Sequence, residues 1–489
     1  MKFTIELPGL VKLVKQAGKR CRARSVQTRR CGCSSVLELN NLMRHLVLVP
    51  FLLFLYPLPS LAASETPCAV GAARVDITPD YPIWLNGYAA RQKESEGIDQ
   101  HIFAQALAIG SDKKSLAILI TVDNVGVPAS VRDEVAARLA KKARLRNERF
   151  ALCSTHTHTA PMLTGSIPNI FGAALPADQQ GRVDRYTREL TDKLEQVALA
   201  ALRDRRPATL AWGQTKASFA ANRRTKGGPV DHDLPVLVAR DKAGQVRALF
   251  VSYACHCTTL GATPNRICGD WAGYAREYLE RDHPGAVVLV AAACGGDANP
   301  QPRGSLEFAQ QHGNAIRTAV NALGQQPLTP LRDKLVCRVK PIALLFDTLP
   351  THEEWLSRAQ STNQYIAYHA KKNLARLDRG EKLPTELPYL IQTWHFGSQL
   401  AVVFLPGEVV VDYSLRLKRE YDARRLWVNA YANDVPCYIP SRRIWREGGY
   451  EGGGAMIYYD RPARLAEGTE ELIVSAVHDL LPREFGAVK

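Results

Sequence analysis

Ser154-Thr155-His156-Thr157-His158-Thr159-Ala160-Pro161 follows the run Arg149-Phe150-Ala151-Leu152-Cys153. That run reads as a short buried strand, and Pro161 ends the extended pattern. The two imidazoles are expected to face apart at the strand end unless the strand bends there, so that one binds a metal while its neighbour faces substrate. An isolated His-x-His is also an ordinary polar strand end. Distant partner residues decide between the two readings.

With 489 residues the chain has room for two or three average domains, or for one elaborated α/β enzyme domain. Its 46% hydrophobic and 23% charged residues are those of an ordinary globular protein and exclude a disordered or polytopic membrane chain. The formal charge of +15 overstates its basicity. Residues 1–42 carry nine Lys or Arg against Glu6 and Glu38, and without them and Arg44 the remainder stands at +7. That remainder holds no basic run backed by aromatics, so no nucleic-acid partner is expected, while a mildly basic surface leaves room for peripheral contact with anionic membranes.

From Met43 the chain reads as a secretory signal peptide: Arg44 and His45, the apolar run Leu46 to Leu55, then Pro57, Pro59 and the small-x-small site Ser60-Leu61-Ala62. The run is shorter than the roughly 20 residues of a membrane span. The expected organisation is therefore a basic prefix over 1–42, reading as an over-extended start, a signal peptide over 43–63 and a single domain over 64–489. The protein would be secreted or periplasmic. Eight cysteines lie beyond the prefix. An exported protein can pair an even number, yet no C-x-x-C occurs and several lie in apolar runs as small buried hydrophobes.

Further along, Phe103 to Ile109 and Ser115 to Val122 predict a hairpin, and Pro128 to Lys142 has helical spacing. Strand, helix, strand argues for an α/β layer. Tyr186 to Arg203 predicts a second helix, and Pro350 to Arg379 a long one. Arg247 to Ala254 runs into His256, and Ala286 to Ala293 runs into Cys294-Gly295-Gly296-Asp297-Ala298-Asn299-Pro300. A second hairpin, Leu390 to Phe396 and Leu400 to Leu405, delivers Pro406-Gly407-Glu408. The expected fold is thus α/β: mixed sheets with flanking helices in one elaborated catalytic domain, its site at strand ends.

Asp76-Ile77-Thr78-Pro79, Asn86-Gly87-Tyr88, Thr155 to Pro161, Asn222-Arg223-Arg224, His256 with Gly269-Asp270, Gly296 to Pro300, Leu405 to Glu408 and Tyr450-Glu451-Gly452 come in that order. This ordered set resembles the motifs of the neutral/alkaline, non-lysosomal ceramidases. The resemblance implies a catalytic zinc held by His156, His256, Glu408 and Tyr438, the last chosen because it stands twelve residues before Tyr450. It also implies that His158 and Arg223 contact substrate or an oxyanion and that Tyr450 is an active-site tyrosine. Each residue has a plainer alternative: Tyr438 as a buried, hydrogen-bonded phenol, Glu408, Asp270 and Asp297 as helix caps or turn formers, Asn222 to Arg224 as a solvated loop.

Imidazole and carboxylate ligands suit zinc, and an open zinc site lowers the pKa of water to about 7, so that metal-activated water can attack an amide carbonyl. The resemblance thus implies hydrolysis of an N-acyl amide, sphingolipid-like or other, in a small-molecule or lipid substrate. One departure bears on mechanism. Where those ceramidases read Gly-Asp-Val-Ser-Pro, this chain has Asn299 in place of the serine. A serine nucleophile is excluded at that position, whereas activated water needs none and the Asn299 amide can still bond substrate. The resemblance also implies the catalytic domain alone, without the β-sandwich tail such enzymes carry. The alternative function is an extracellular binding module that keeps the fold and has lost turnover.

Overall fold

Ala117–Val122 is apolar on both of its faces, and both are buried. Ile118, Ile120 and Val122 enter one core cluster and Ala117 and Leu119 another. A strand that reads as a continuous apolar run belongs inside a layered sheet, covered above and below. The computed structural model describes residues 68–112 and 115–486; the expected prefix and signal peptide lie outside them.

The main sheet runs, in spatial order, Phe150–Ser154, Ala117–Val122, Phe103–Ile109, Cys68–Asp76, Arg206–Lys216, Asp233–Arg240, Val246–Tyr253 and Val287–Ala292, with Thr329–Pro330 added beside Arg206–Lys216. Most pairs are antiparallel. The two outermost pairs, Ala117–Val122 with Phe150–Ser154 and Val246–Tyr253 with Val287–Ala292, are parallel. The sheet curls until its two edge strands pack against each other. Loops leaving both parallel pairs at their C-terminal ends therefore converge, and those loops carry His156, His158, His256 and Asn299.

Helices Ala129–Ala143 and Ala177–Arg203 cover one face through Val135, Leu139, Leu190, Leu194 and Val197. Asp270–Asp282 and Leu306–Gly324 cover strands nearer the other edge through Trp271, Leu279 and Ile316. The opposite face meets a second sheet, Leu335–Leu345, Glu386–Phe396, Leu400–Phe404 and Leu426–Asn429. Its last two strands are again parallel, and the chain leaving them carries Glu408 and Tyr431. The mixed α/β architecture expected from the sequence is the one present.

One element differs. The stretch expected as a long helix from Pro350 to Arg379 is two helices, His352–Ala359 and Gln364–Asp378. Thr351 and Glu354 form a capping box at the first, and the Asn363 side chain accepts the N–H groups of Tyr365 and Ile366 at the second. The Asn363 cap starts a new helix where apolar spacing alone reads straight through. No helix among the described residues is long and apolar enough to cross a membrane, and the eight cysteines from Cys68 onward are free thiols.

Trp427, 1% exposed, stacks on Phe250 across the two sheets with 4.5 Å between ring centroids. Trp427→Ala is expected to remove about 3–5 kcal/mol of stability by opening a cavity between them. A fall in the urea midpoint with an unchanged slope checks this.

Candidate active site

The strand Phe150–Ser154 ends because the backbone turns left-handed at His156, φ 61°. The two imidazoles do not face apart as expected. Residues two apart on a strand share a face, and the turn at His156 keeps both rings converging, with 3.0 Å between their Nε2 atoms. His256 arrives from the other parallel pair, its N–H bonded to the Ala298 carbonyl at 3.0 Å. Together the three histidines form a buried group whose ligand atoms lie within 4.8 Å of one another.

Each imidazole has its Nδ1 committed to a backbone carbonyl: His156 to Val125, His256 to Gly295 at 2.8 Å, His158 to Gly87 at 3.0 Å. A neutral imidazole donating from Nδ1 keeps its lone pair on Nε2, the form in which it binds a metal. The Nε2 lone pairs all point inward.

Glu408 joins them from the second sheet. Glu408–Val409 pairs in parallel with Tyr438–Ile439, and the register sets Glu408 directly beside Tyr438. Glu408 Oε2 lies 3.2 Å from His156 Nε2 and 3.1 Å from His256 Nε2. With those nitrogens unprotonated, this oxygen is buried without a donor, while Tyr459 donates its phenol to Oε1. An unpaired buried carboxylate oxygen facing imidazole lone pairs is costly unless a cation lies between them. The donor set therefore fits a borderline-soft divalent ion such as zinc. Gly296 permits the close approach, since a Cβ there would stand 2.6 Å from the Glu408 carbonyl oxygen.

Arg223 links this group to the surface. It donates from Nη2 to the Tyr438 phenol at 2.9 Å and from Nη1 to His256 Nε2 at 3.2 Å, and its Nε bonds Glu451 at 2.7 Å. Its guanidinium also stacks near the rings of Tyr438 and Tyr450. Arg223, Asn299, Tyr450 and Glu451 line an open cleft of about 710 Å3. Tyr450 is the exposed member, at 45%. Asn299 sits opposite Ala221 in a short strand pair, and its Oδ1 accepts from Thr258 at 3.3 Å. Asp297 caps the start of the helix Val411–Glu420 through the Val411 N–H and holds Asn222, so it braces the loop that carries Arg223.

All eight residues singled out in the sequence thus lie in this cluster or on its cleft. His156, His158, His256, Glu408 and Tyr438 converge inside, while Arg223, Tyr450 and Asn299 face the cleft. Tyr459 and Tyr431 take part without having been singled out, and Glu451, quoted only as part of the Tyr450-Glu451-Gly452 motif, takes part without having been given a role. Tyr431 packs its ring on His156 at 4.2 Å between centroids. The only sequence signal for Tyr459 was its place in the aromatic pair Tyr458-Tyr459 after the glycine-rich loop.

Burial lowers the His256 imidazole to about 4, with the Arg223 charge adding to the effect. Burial, His156 and His256 hold His158 well below the usual range. Burial drives the Tyr438 phenol well above its ordinary value, and the phenol stays protonated.

A family model described as neutral/alkaline non-lysosomal ceramidase, N-terminal, matches residues 68–318. "Neutral ceramidase A" of Dictyostelium discoideum is 23% identical over 270 residues, spanning 48% of this chain and 36% of that protein. The chain thus spans about a third of that relative's length. Two solved structures share the fold. One titled "Ceramidase complexed with C2" has a TM-score of 0.68 at 18% identity, covering 87% of this chain and 77% of that one. A neutral ceramidase from Pseudomonas aeruginosa has a TM-score of 0.67 at 19% identity, covering 87% and 76%.

The depressed imidazoles give the chain an acid-sensitive stability. With a folded pKa of about 4 for His256 against about 6.5 unfolded, the folded state binds that proton less readily. The stability is fully present above about pH 6.5 and lost as pH falls toward 4. The metal-free protein is expected to lose Tm across that window, and the His158→Gln/His256→Gln double variant to show a flatter profile by calorimetry.

Proposed function

The chain belongs to the neutral/alkaline non-lysosomal ceramidase family, and from that premise we propose that it is a zinc-dependent amidohydrolase cleaving the C–N bond of an N-acylated, ceramide-like substrate. The observation that carries the reading is the donorless Glu408 oxygen among imidazoles whose Nδ1 atoms are already spent. His156, His256, Glu408 and Tyr438 would hold the zinc. When bound there, zinc supplies Lewis acidity and lowers the pKa of a water to about 7.

The remaining roles fall to side chains of the cluster and cleft. His158 stays neutral in its buried setting and is aimed at the same point, so it serves to hold the scissile carbonyl or accept a proton. Arg223, anchored by Glu451, puts a fixed positive charge where the carbonyl oxygen becomes anionic. Tyr450 stands half-exposed on the cleft with a phenol protonated at neutral pH, placed to give a proton to the departing amine. Asn299 can bond the substrate but cannot form an acyl-enzyme, so attack by water is the route that suits this chain. The apolar run after Met43 supports export, secreted or periplasmic, through a signal peptide.

Metal analysis of the purified protein is expected to give about one zinc per chain. His156→Ala and His256→Ala are each expected to lower bound zinc at least tenfold and to abolish hydrolysis across a panel of N-acyl substrates of varied head group. Zinc content unchanged in both variants would overturn the reading. Substrate binding without turnover by the zinc-loaded protein would favour the binding module instead.

A further inference from the structure

Tyr450 begins a line of rings that leads away from the cluster. Its ring meets that of Tyr438 edge to face at 5.3 Å between centroids on the inner side and that of Tyr458 at 6.1 Å on the outer, and Tyr458 in turn lies 5.4 Å from Tyr365. No other aromatic side chain among the described residues is as exposed as Tyr450, and Tyr458 and Tyr365 keep part of their surface open.

The outer rings are held in place. The Tyr458 carbonyl accepts the Asn169 N–H at 3.0 Å, and the Asn169 side-chain amide donates to the Ile457 carbonyl at 2.9 Å. Tyr365 donates its phenol to the Ala89 carbonyl at 3.3 Å and packs on Gly172, where a Cβ would stand 2.8 Å from a ring carbon. Ala89 directly follows the Gly87-Tyr88 loop that holds His158, so the line of rings ends on the rim of the same site. Rings fixed in this way offer apolar area to a ligand without being ordered by it.

The other walls of the cleft are polar. Arg224 bonds both Glu451 and Glu447, and Thr225 and Glu447 are exposed. An alkyl chain laid there would strip water from charged groups and replace none of its hydrogen bonds. On the tyrosine faces it displaces water from apolar carbon.

Tyr450 stands, in the proposed reaction, beside the departing amine, so the rings beyond it continue on the amine side of the scissile bond. We propose that the substrate carries its aliphatic chain on the leaving amine, laid along Tyr450, Tyr458 and Tyr365, and presents a short acyl group to the polar wall. The chain subsite follows from the rings and their exposure. Its assignment to the amine side rests on the proposed activity and on the place of Tyr450 in it.

The isomers N-octylacetamide and N-ethyloctanamide contain the same atoms and differ in which side of the amide bears the long chain. In calorimetric titration of the metal-free protein, N-octylacetamide is expected to bind about tenfold or more tightly than its isomer. N-ethylacetamide is expected to be weaker than N-octylacetamide by about twofold per methylene removed, since full burial gives about fourfold and a chain on an open wall is covered on one side. Tyr458→Ala is expected to bring N-octylacetamide down to the level of its isomer and to leave the isomer unchanged, and Tyr458→Phe to keep the preference. Equal affinity of the wild type for the two isomers, a preference for N-ethyloctanamide, or no saturable binding of N-octylacetamide below about 1 mM overturns the assignment without needing any variant to fold. The zinc-loaded protein separates this from the proposed activity. Preferential binding of N-octylacetamide with no hydrolysis of either amide would sink the activity and leave the chain subsite standing, whereas hydrolysis of both at equal kcat/KM would sink the subsite and leave the activity.

Discussion

Glu408 buries a carboxylate with one oxygen bonded to a phenol and the other facing only lone pairs. An isolated charge is not carried into an interior unless something compensates it, and here four separate segments are spent on arranging the compensation. The parallel pairing with Tyr438 sets the depth of Glu408, and Gly296 lets the neighbouring loop close against its backbone. The carbonyls of Val125 and Gly295 fix the imidazole tautomers that face it. Arg223, which touches His256 and the Tyr438 phenol together, adds a fixed positive charge.

The fold makes this convergence possible through a topological economy. Parallel pairs send their chains out at the same end, and this molecule has parallel pairs at both outer borders of one curled sheet and at the border of the second. Antiparallel strands in between carry the core and contribute no cluster residue. The site therefore depends on the curl: flatten the main sheet and His156 parts from His256, although every strand would keep its hydrogen bonds.

Much of this was legible in the residues. Apolar runs that stop at His156, His256 and Pro406-Gly407-Glu408 mark strand ends bearing chemistry, and the ordered motifs named the same residues that the fold gathers. What was not legible was direction. Nothing in Thr155-His156-Thr157 announces a left-handed residue at His156, since a non-glycine residue adopts that conformation only when its surroundings impose it. That the two imidazoles meet follows in the first place from strand periodicity, since residues two apart share a face, and the left-handed turn keeps their rings converging. The long helix misread between Pro350 and Arg379 has a similar origin, because a cap at Asn363 is decided by local hydrogen bonds that apolar spacing does not see. Tyr459 was invisible for a third reason: its importance lies in the Glu408 oxygen that it touches, and a contact between residues far apart in the chain leaves no trace in the residue sequence.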